Sequence, residues 1–198
     1  NLPETEKKCL NIAMVYNPDE EIGSIYSKEI TDRIGCQADH IFVMESAGKN
    51  GTRHCFARKG SLTYDIEFQG QAAHAGFMFE VENASAVLEM GHYIVELMSL
   101  ADREKDTTVN VGIANGGTAR NVVADHAKIS VEMRFRDDSE RIRLKEYVNK
   151  ITEGQPFVPG VKTTITMQKE TPPFIKTEEA KKYIERVRKI AEEYGIPF

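Results

Sequence analysis

Leu62-Thr63-Tyr64-Asp65-Ile66-Glu67-Phe68 decides the fold of this chain. Apolar and polar side chains alternate strictly along it, the pattern of a β-strand with one dry and one wet face. Such a strand belongs to a sheet that is antiparallel and covered on one side only. A second stretch repeats the pattern, with Ala127, Ile129, Val131, Met133 and Phe135 on one face and Lys128, Ser130, Glu132 and Arg134 on the other. Between the two, Asn83 to Leu100 sets Val87, Met90, Ile94, Leu97 and Met98 at helical spacing behind Asn83 as N-cap. Thr107 to Ile113 reads as a strand. Ser139 to Thr152 reads as an amphipathic helix capped by Ser139, with Ile142, Val148 and Ile151 on its stripe, and Val161 to Met167 as a last strand. Strand, helix, strand, strand, helix, strand is the split βαβ order, a ferredoxin-like α+β sheet with both helices on one face.

Outward from this block the character changes. Leu10 to Tyr16 and Ala38 to Met44 are continuous apolar runs that read as buried strands, and Ser24 to Gly35 between them has helical spacing at Ile25, Ile30 and Ile34. That is a βαβ-like, α/β pattern. Beyond Pro172-Pro173 the chain is mostly one charged helix, Thr177 to Tyr194, with Tyr183, Val187, Ile190 and Ala191 along one stripe. The expected organisation is a partial α/β domain over residues 1–59, an α+β domain over 60–171, and a helix over 172–198 that returns to the first block.

Composition narrows the function. The chain has 198 residues, 40% of them hydrophobic, enough for a substantial core. A net charge of −5 without any basic run argues against nucleic acid and anionic membrane as partners, and suits a cationic cofactor or metal better. No apolar stretch approaches the roughly 20 residues of a membrane span. Cys9, Cys36 and Cys55 are odd in number and form no Cys-x-x-Cys pair, so buried reduced thiols are expected rather than disulfides or a zinc ribbon. The compartment is open, with the cytoplasm favoured.

The chemistry-bearing residues lie at the joints between elements. Asn17-Pro18-Asp19-Glu20-Glu21-Ile22-Gly23-Ser24 puts two adjacent carboxylates in a strand-to-helix loop, where open α/β folds bind ligands. A natural division of labour is one metal ligand and one general base; a solvated acidic turn at a helix start is the plainer reading. Glu45 ends the second apolar run. His74 lies in the small-residue loop Gly70 to Gly76, with no bulky neighbour to bury it. Asn121 and Arg134 are polar groups read as lying near one end of the second block. There Arg134 either clamps a carboxylate bidentately or pairs with Glu132 or Asp137. The glycine-rich Asn115 to Asn121 joins two strands rather than a strand and a helix, which is poor for a nucleotide site.

In this order the motifs resemble the di-zinc exopeptidase and amidohydrolase family of glutamate carboxypeptidase, aminoacylase and succinyl-diaminopimelate desuccinylase. The resemblance rests on Asp19-Glu20-Glu21-x-Gly23-Ser24, Glu45, His74-Ala75-Gly76, Asn121 and Met133-Arg134-Phe135, and is strongest to the glutamate carboxypeptidase branch. It implies Glu20 as general base, Glu21 and Glu45 as ligands of the two zinc ions, and the middle block as the lid through which two subunits pair. It further implies that His74 reaches into the partner subunit's site to stabilise the oxyanion, and that Asn121 and Arg134 hold the substrate's terminal carboxylate. The reaction implied is hydrolysis of an amide beside a free carboxylate, in a peptide or N-acyl amino acid.

The family's early His-x-Asp motif, its bridging Asp and its last zinc-binding His would fall outside residues 1–198, and Ala124 stands where the family typically has proline. With two of five expected ligands and a first residue other than Met, the chain is expected to be a piece of a longer enzyme. By itself it should be inactive and hold no zinc tightly. The alternative expectation is a non-catalytic dimerisation module with a relic acidic loop.

Overall fold

In the computed structural model of the chain, residues 11–44 and 55–196 are described. They belong to two compact units, Asn1–Ser46 and Ala47–Phe198.

The larger unit is built on a four-stranded antiparallel sheet of β1 (Gly60–Gln69), β3 (Thr108–Gly116), β5 (His126–Phe135) and β6 (Lys162–Thr171), in the order β3-β5-β1-β6. Two short strands, β2 (Ala73–His74) and β4 (Val122–Val123), form a separate ribbon. Strand β1 pairs with β5 from Gly60↔Phe135 to Gln69↔His126 without a break. This register brings the two alternating stretches face to face: Leu62, Ile66, Phe68, Ala127, Ile129, Met133 and Phe135 are all buried, while their polar neighbours face the other way. That other face is tied by charge, with Lys128 bridging Asp65 (3.1 Å) and Glu67 (3.2 Å).

Helices α2 (Ala86–Met98) and α3 (Asp138–Glu153) supply the buried side chains Tyr93, Leu97, Leu144 and Val148 to the same core. The Tyr93 ring meets Phe68 edge-on at 5.0 Å, and its hydroxyl donates to the Ile151 carbonyl (2.9 Å), joining the helices above the sheet. Glu89, buried on α2, accepts from the amides of Phe157 (3.2 Å) and Val158 (2.6 Å) and so holds the α3–β6 connection. The split βαβ expectation is met.

Helix starts differ in detail from expectation. The bridge between Gln71 and Ala84 keeps the chain extended past Asn83, so α2 begins later, with Ser85 Oγ accepting from the Leu88 amide (3.2 Å). Asn83 instead donates to the carbonyls of Met78 (2.6 Å) and Val81 (3.0 Å), closing the preceding loop. Asp137, not Ser139, caps α3: its extended backbone lets the carboxylate accept from the Glu140 amide (3.0 Å). Ile142 is exposed because it sits roughly 200° around the helix from buried Leu144. On α4 (Glu178–Glu193), capped by Thr177, Ile184 and Ala191 carry the burial and Ile190 is exposed.

In the smaller unit the expected helix begins late and ends as expected. A 3-10 turn over Glu20–Ile22 is followed by α1 (Lys28–Gly35), because Gly23 (φ 92°) and Ser24 (φ 58°) are left-handed and postpone the helix. The two expected strands are not there: 11–16 and 38–44 are irregular, and Met44 is 95% exposed. A continuous apolar run becomes a buried strand only when neighbouring strands take its backbone groups and layers cover both faces. Among the described residues neither run joins a sheet.

Candidate active site

The acidic loop is ordered by its polar side chains. Asn17 Nδ2 donates to Ser24 Oγ (2.8 Å), and Asn17 Oδ1 accepts from the Asp19 amide (3.1 Å) and the Ser27 hydroxyl (2.8 Å). Asp19 Oδ2 accepts from the amides of Tyr26 (2.7 Å) and Ser27 (3.3 Å). Hydrogen bonds from Ser27, and then from the Tyr26 amide, hold the Asp19 carboxyl below the usual carboxylate range. Asp19 thus works on the loop itself, and its buried Oδ1 has no partner among the described residues. Glu20 and Glu21 are left exposed on the 3-10 turn, their carboxylates unengaged among the described residues. Asn17 and Ser27 were not singled out from sequence, although an Asn two residues before an Asp is a turn signal.

Glu45 lies outside the described residues, as does Cys9. Cys36 and Cys55 are free and exposed rather than buried. Among the described residues no group of three or more His, Cys, Asp or Glu side chains is placed to hold a metal ion. A zinc centre takes about four ligands, so the donors present do not fit one.

In the larger unit the β2–β4 ribbon pairs Ala73 with Val123 and His74 with Val122, and the Ala75 amide donates to the Asn121 carbonyl (2.9 Å). His74 and Asn121 are thereby brought to one edge from loops 47 residues apart. The Gly70 amide donates to Asp125 O (2.7 Å) and the Ala86 amide to Ala124 O (2.8 Å), which pins both loops. A side chain at Gly70 would run into the Ala84 carbonyl, so this close approach needs glycine. Buried Ala124 is held by that carbonyl bond, with no proline ring to stiffen it. The imidazole of His74 is exposed; its Nδ1 accepts from the Gly76 amide (3.1 Å) and its ring lies 5.4 Å from that of Phe77.

Arg134 is elsewhere. It pairs across the sheet with Ser61 and Thr108, eight residues along β5 from His126, about 26 Å at the usual strand rise. Its guanidinium is paired with Glu132 (2.8 Å). Asn121 and Arg134 therefore lie towards opposite ends of the domain, because β5 runs straight between them. One small carboxylate cannot touch both in one chain.

Residues 56–156 match the family model of the M20 peptidase dimerisation domain. The chain belongs to the M20 peptidase family. It is 22% identical over 93% of its length to carboxypeptidase G2 of Pseudomonas sp., covering 44% of that protein. It is 29% identical over 62% of its length to acetylornithine deacetylase of Myxococcus xanthus, covering 34% of that protein. A solved tripeptidase of Staphylococcus aureus shares the fold, with a TM-score of 0.54 at 21% identity over 71% of this chain and 37% of that one. The chain thus spans less than half the length of these M20 relatives.

As an M20 dimerisation domain, the larger unit has a face suited to its description. Helix α2 is apolar on two sides: Ala86, Tyr93 and Leu97 are buried on the sheet, while Leu88 (55% exposed) and Val95 (69% exposed) line a shallow trough with Gly91 and His92. A helix that is apolar all round is one that expects cover on both sides. No helix among the described residues is long and apolar enough to cross a membrane.

Proposed function

We propose that this chain is the dimerisation domain and part of the active site of a zinc-dependent amidohydrolase that cleaves an amide beside a free carboxylate, in a peptide or an N-acyl amino acid. The blocks 1–59, 60–171 and 172–198 are its catalytic segment, lid and returning helix. The observation that carries this reading is the β2–β4 ribbon, which sets the exposed imidazole of His74 and Asn121 on one edge of the domain, in the family whose named relatives are hydrolases of such bonds.

Glu20 is the general base, taking a proton from the attacking water. In the complete protein Glu21 and Glu45 would each supply one carboxylate to a zinc ion, which would polarise the scissile carbonyl and the attacking water; these two carboxylates alone do not make a centre, and further ligands would be needed. His74, presented to the site of a partner subunit, donates a hydrogen bond to the oxyanion, while Asn121 holds the substrate carboxylate beside it. Arg134 joins Asn121 in this where the carboxylate lies between two copies, since only its Nη2 is engaged by Glu132 among the described residues. Free, exposed thiols at Cys36 and Cys55 suit a reducing compartment, so the cytoplasm is the proposed location.

Replacing Glu20 by Gln in the complete protein is expected to leave metal content unchanged and lower kcat by at least about 100-fold, the scale of a lost general base. Turnover within a few-fold of the parent would remove Glu20 from that role. The second reading, a non-catalytic module that pairs with itself, is favoured by the outward apolar face of α2 and the lack of a metal-ready cluster among the described residues. Hydrolysis by the complete protein decides between the two.

A further inference from the structure

We infer that Gly76 and Phe77 are positioning residues for His74: they hold its imidazole as the Nε2–H tautomer, so that the outward nitrogen is a fixed hydrogen-bond donor. This rests on the proposed role of His74 at an oxyanion. A backbone N–H can be answered only by a lone pair, so the bond from the Gly76 amide to Nδ1 (3.1 Å) leaves Nδ1 without a proton. In the neutral ring the hydrogen is then on Nε2. Three further features keep it there. A Cβ at residue 76 would lie 3.2 Å from both Nδ1 and Cε1 of His74, closer than ordinary contact, so any side chain there would push the ring a few tenths of an ångström off the amide. The Phe77 ring, 5.4 Å away and tilted by 48°, closes one side of the imidazole. The pairing of His74 with Val122, and of the Ala75 amide with Asn121 O, fixes the backbone from which both groups project.

The consequence is chemical. An imidazole free to change tautomer presents an acceptor lone pair for part of the time, which repels a developing oxyanion; one locked as Nε2–H presents a donor throughout. With Nδ1 occupied and Nε2 already protonated, neutral His74 has no nitrogen free to act as a base.

Nitrogen-15 spectra of this chain, recorded without substrate at a pH where His74 is neutral, test the idea. A scalar coupling across the hydrogen bond from the Gly76 amide nitrogen to Nδ1 is expected, together with a protonated Nε2. Gly76→Ala should weaken that coupling and raise the Nδ1–H share at least twofold. Phe77→Leu should do the same to a smaller degree. A wild-type ring protonated on Nδ1, or no coupling in the wild type, overturns the inference whether or not the variants fold; so does a folded Gly76→Ala chain with an unchanged tautomer ratio. In the complete protein, His74→Gln with unchanged turnover would instead sink the oxyanion role while leaving the tautomer result standing, so the two failures are distinguishable.

Discussion

Glu140 is a charged residue that the fold buries. It lies in a helix rich in charge, yet its side chain is only 2% exposed and is surrounded by Arg143 (2.7 Å), Lys105 (2.7 Å) and the Thr107 hydroxyl (2.8 Å). The hydrogen bonds from Arg143, outweighing the cost of burial and aided by Lys105 and Thr107, lower its pKa to about 2. Because the folded value lies below the ordinary one of 4.5, this group stabilises the fold above about pH 4.5, and that contribution is lost as pH falls through about 2. Glu140→Gln is expected to lower stability by about 2–3 kcal/mol at pH 7. The gap between wild type and variant in urea melts should close towards pH 2; a gap independent of pH would contradict the assignment. Nothing local in sequence marks this site, since Lys105 and Thr107 arrive from more than 30 residues away. His74 was easier, because a histidine among small residues has nothing to bury it.

At the scale of elements, what was legible depends on how each one is stabilised. Strands β1 and β5 were readable because a half-covered sheet writes its two faces into alternate residues. The runs at 11–16 and 38–44 failed because a strand buried on both faces is defined by its neighbours and not by its own pattern. The caps at Ser85 and Asp137 each lie two residues from the expected ones, since tertiary bonds such as Gln71 to Ala84 set where the chain can begin to wind. Helix α2 was read with one stripe and has two. Its outward stripe is where pairing is expected, so Val95→Glu should turn a dimer into a monomer in sedimentation velocity while leaving the melting temperature within a few degrees. A wild-type chain that remains monomeric at high concentration would argue against self-association through this face.

For the whole molecule, the sheet core and the acidic loop belong to different units. The sheet and its two helices form a closed core within residues 60–171, whereas the acidic loop stands in a separate unit. The order of motifs along the chain carries the family without any contact; the ligand set is not legible because a metal site is made by converging segments, and no three metal-ligating side chains converge among the described residues. Accordingly, the purified chain is expected to retain well under one equivalent of zinc after dialysis, measured by elemental analysis, and to show no amide hydrolysis. Tight stoichiometric zinc would mean that donors outside the described residues complete a site.

The two margins of the sheet are unlike. Strand β6 carries Lys162, Lys169 and Glu170, charges that discourage a second strand from adding to it, while β3, Thr108–Gly116, has no charged side chain. At Gly112 the register of β3 slips by one residue, which turns Ile113 (56% exposed) out onto the wet face. A sheet with one receptive margin and one guarded margin can add a copy of itself once, about a two-fold axis, and then stops. Growth by this margin would be self-terminating: the joined sheet would end in β6 at both sides, and a fibre would have nowhere to start.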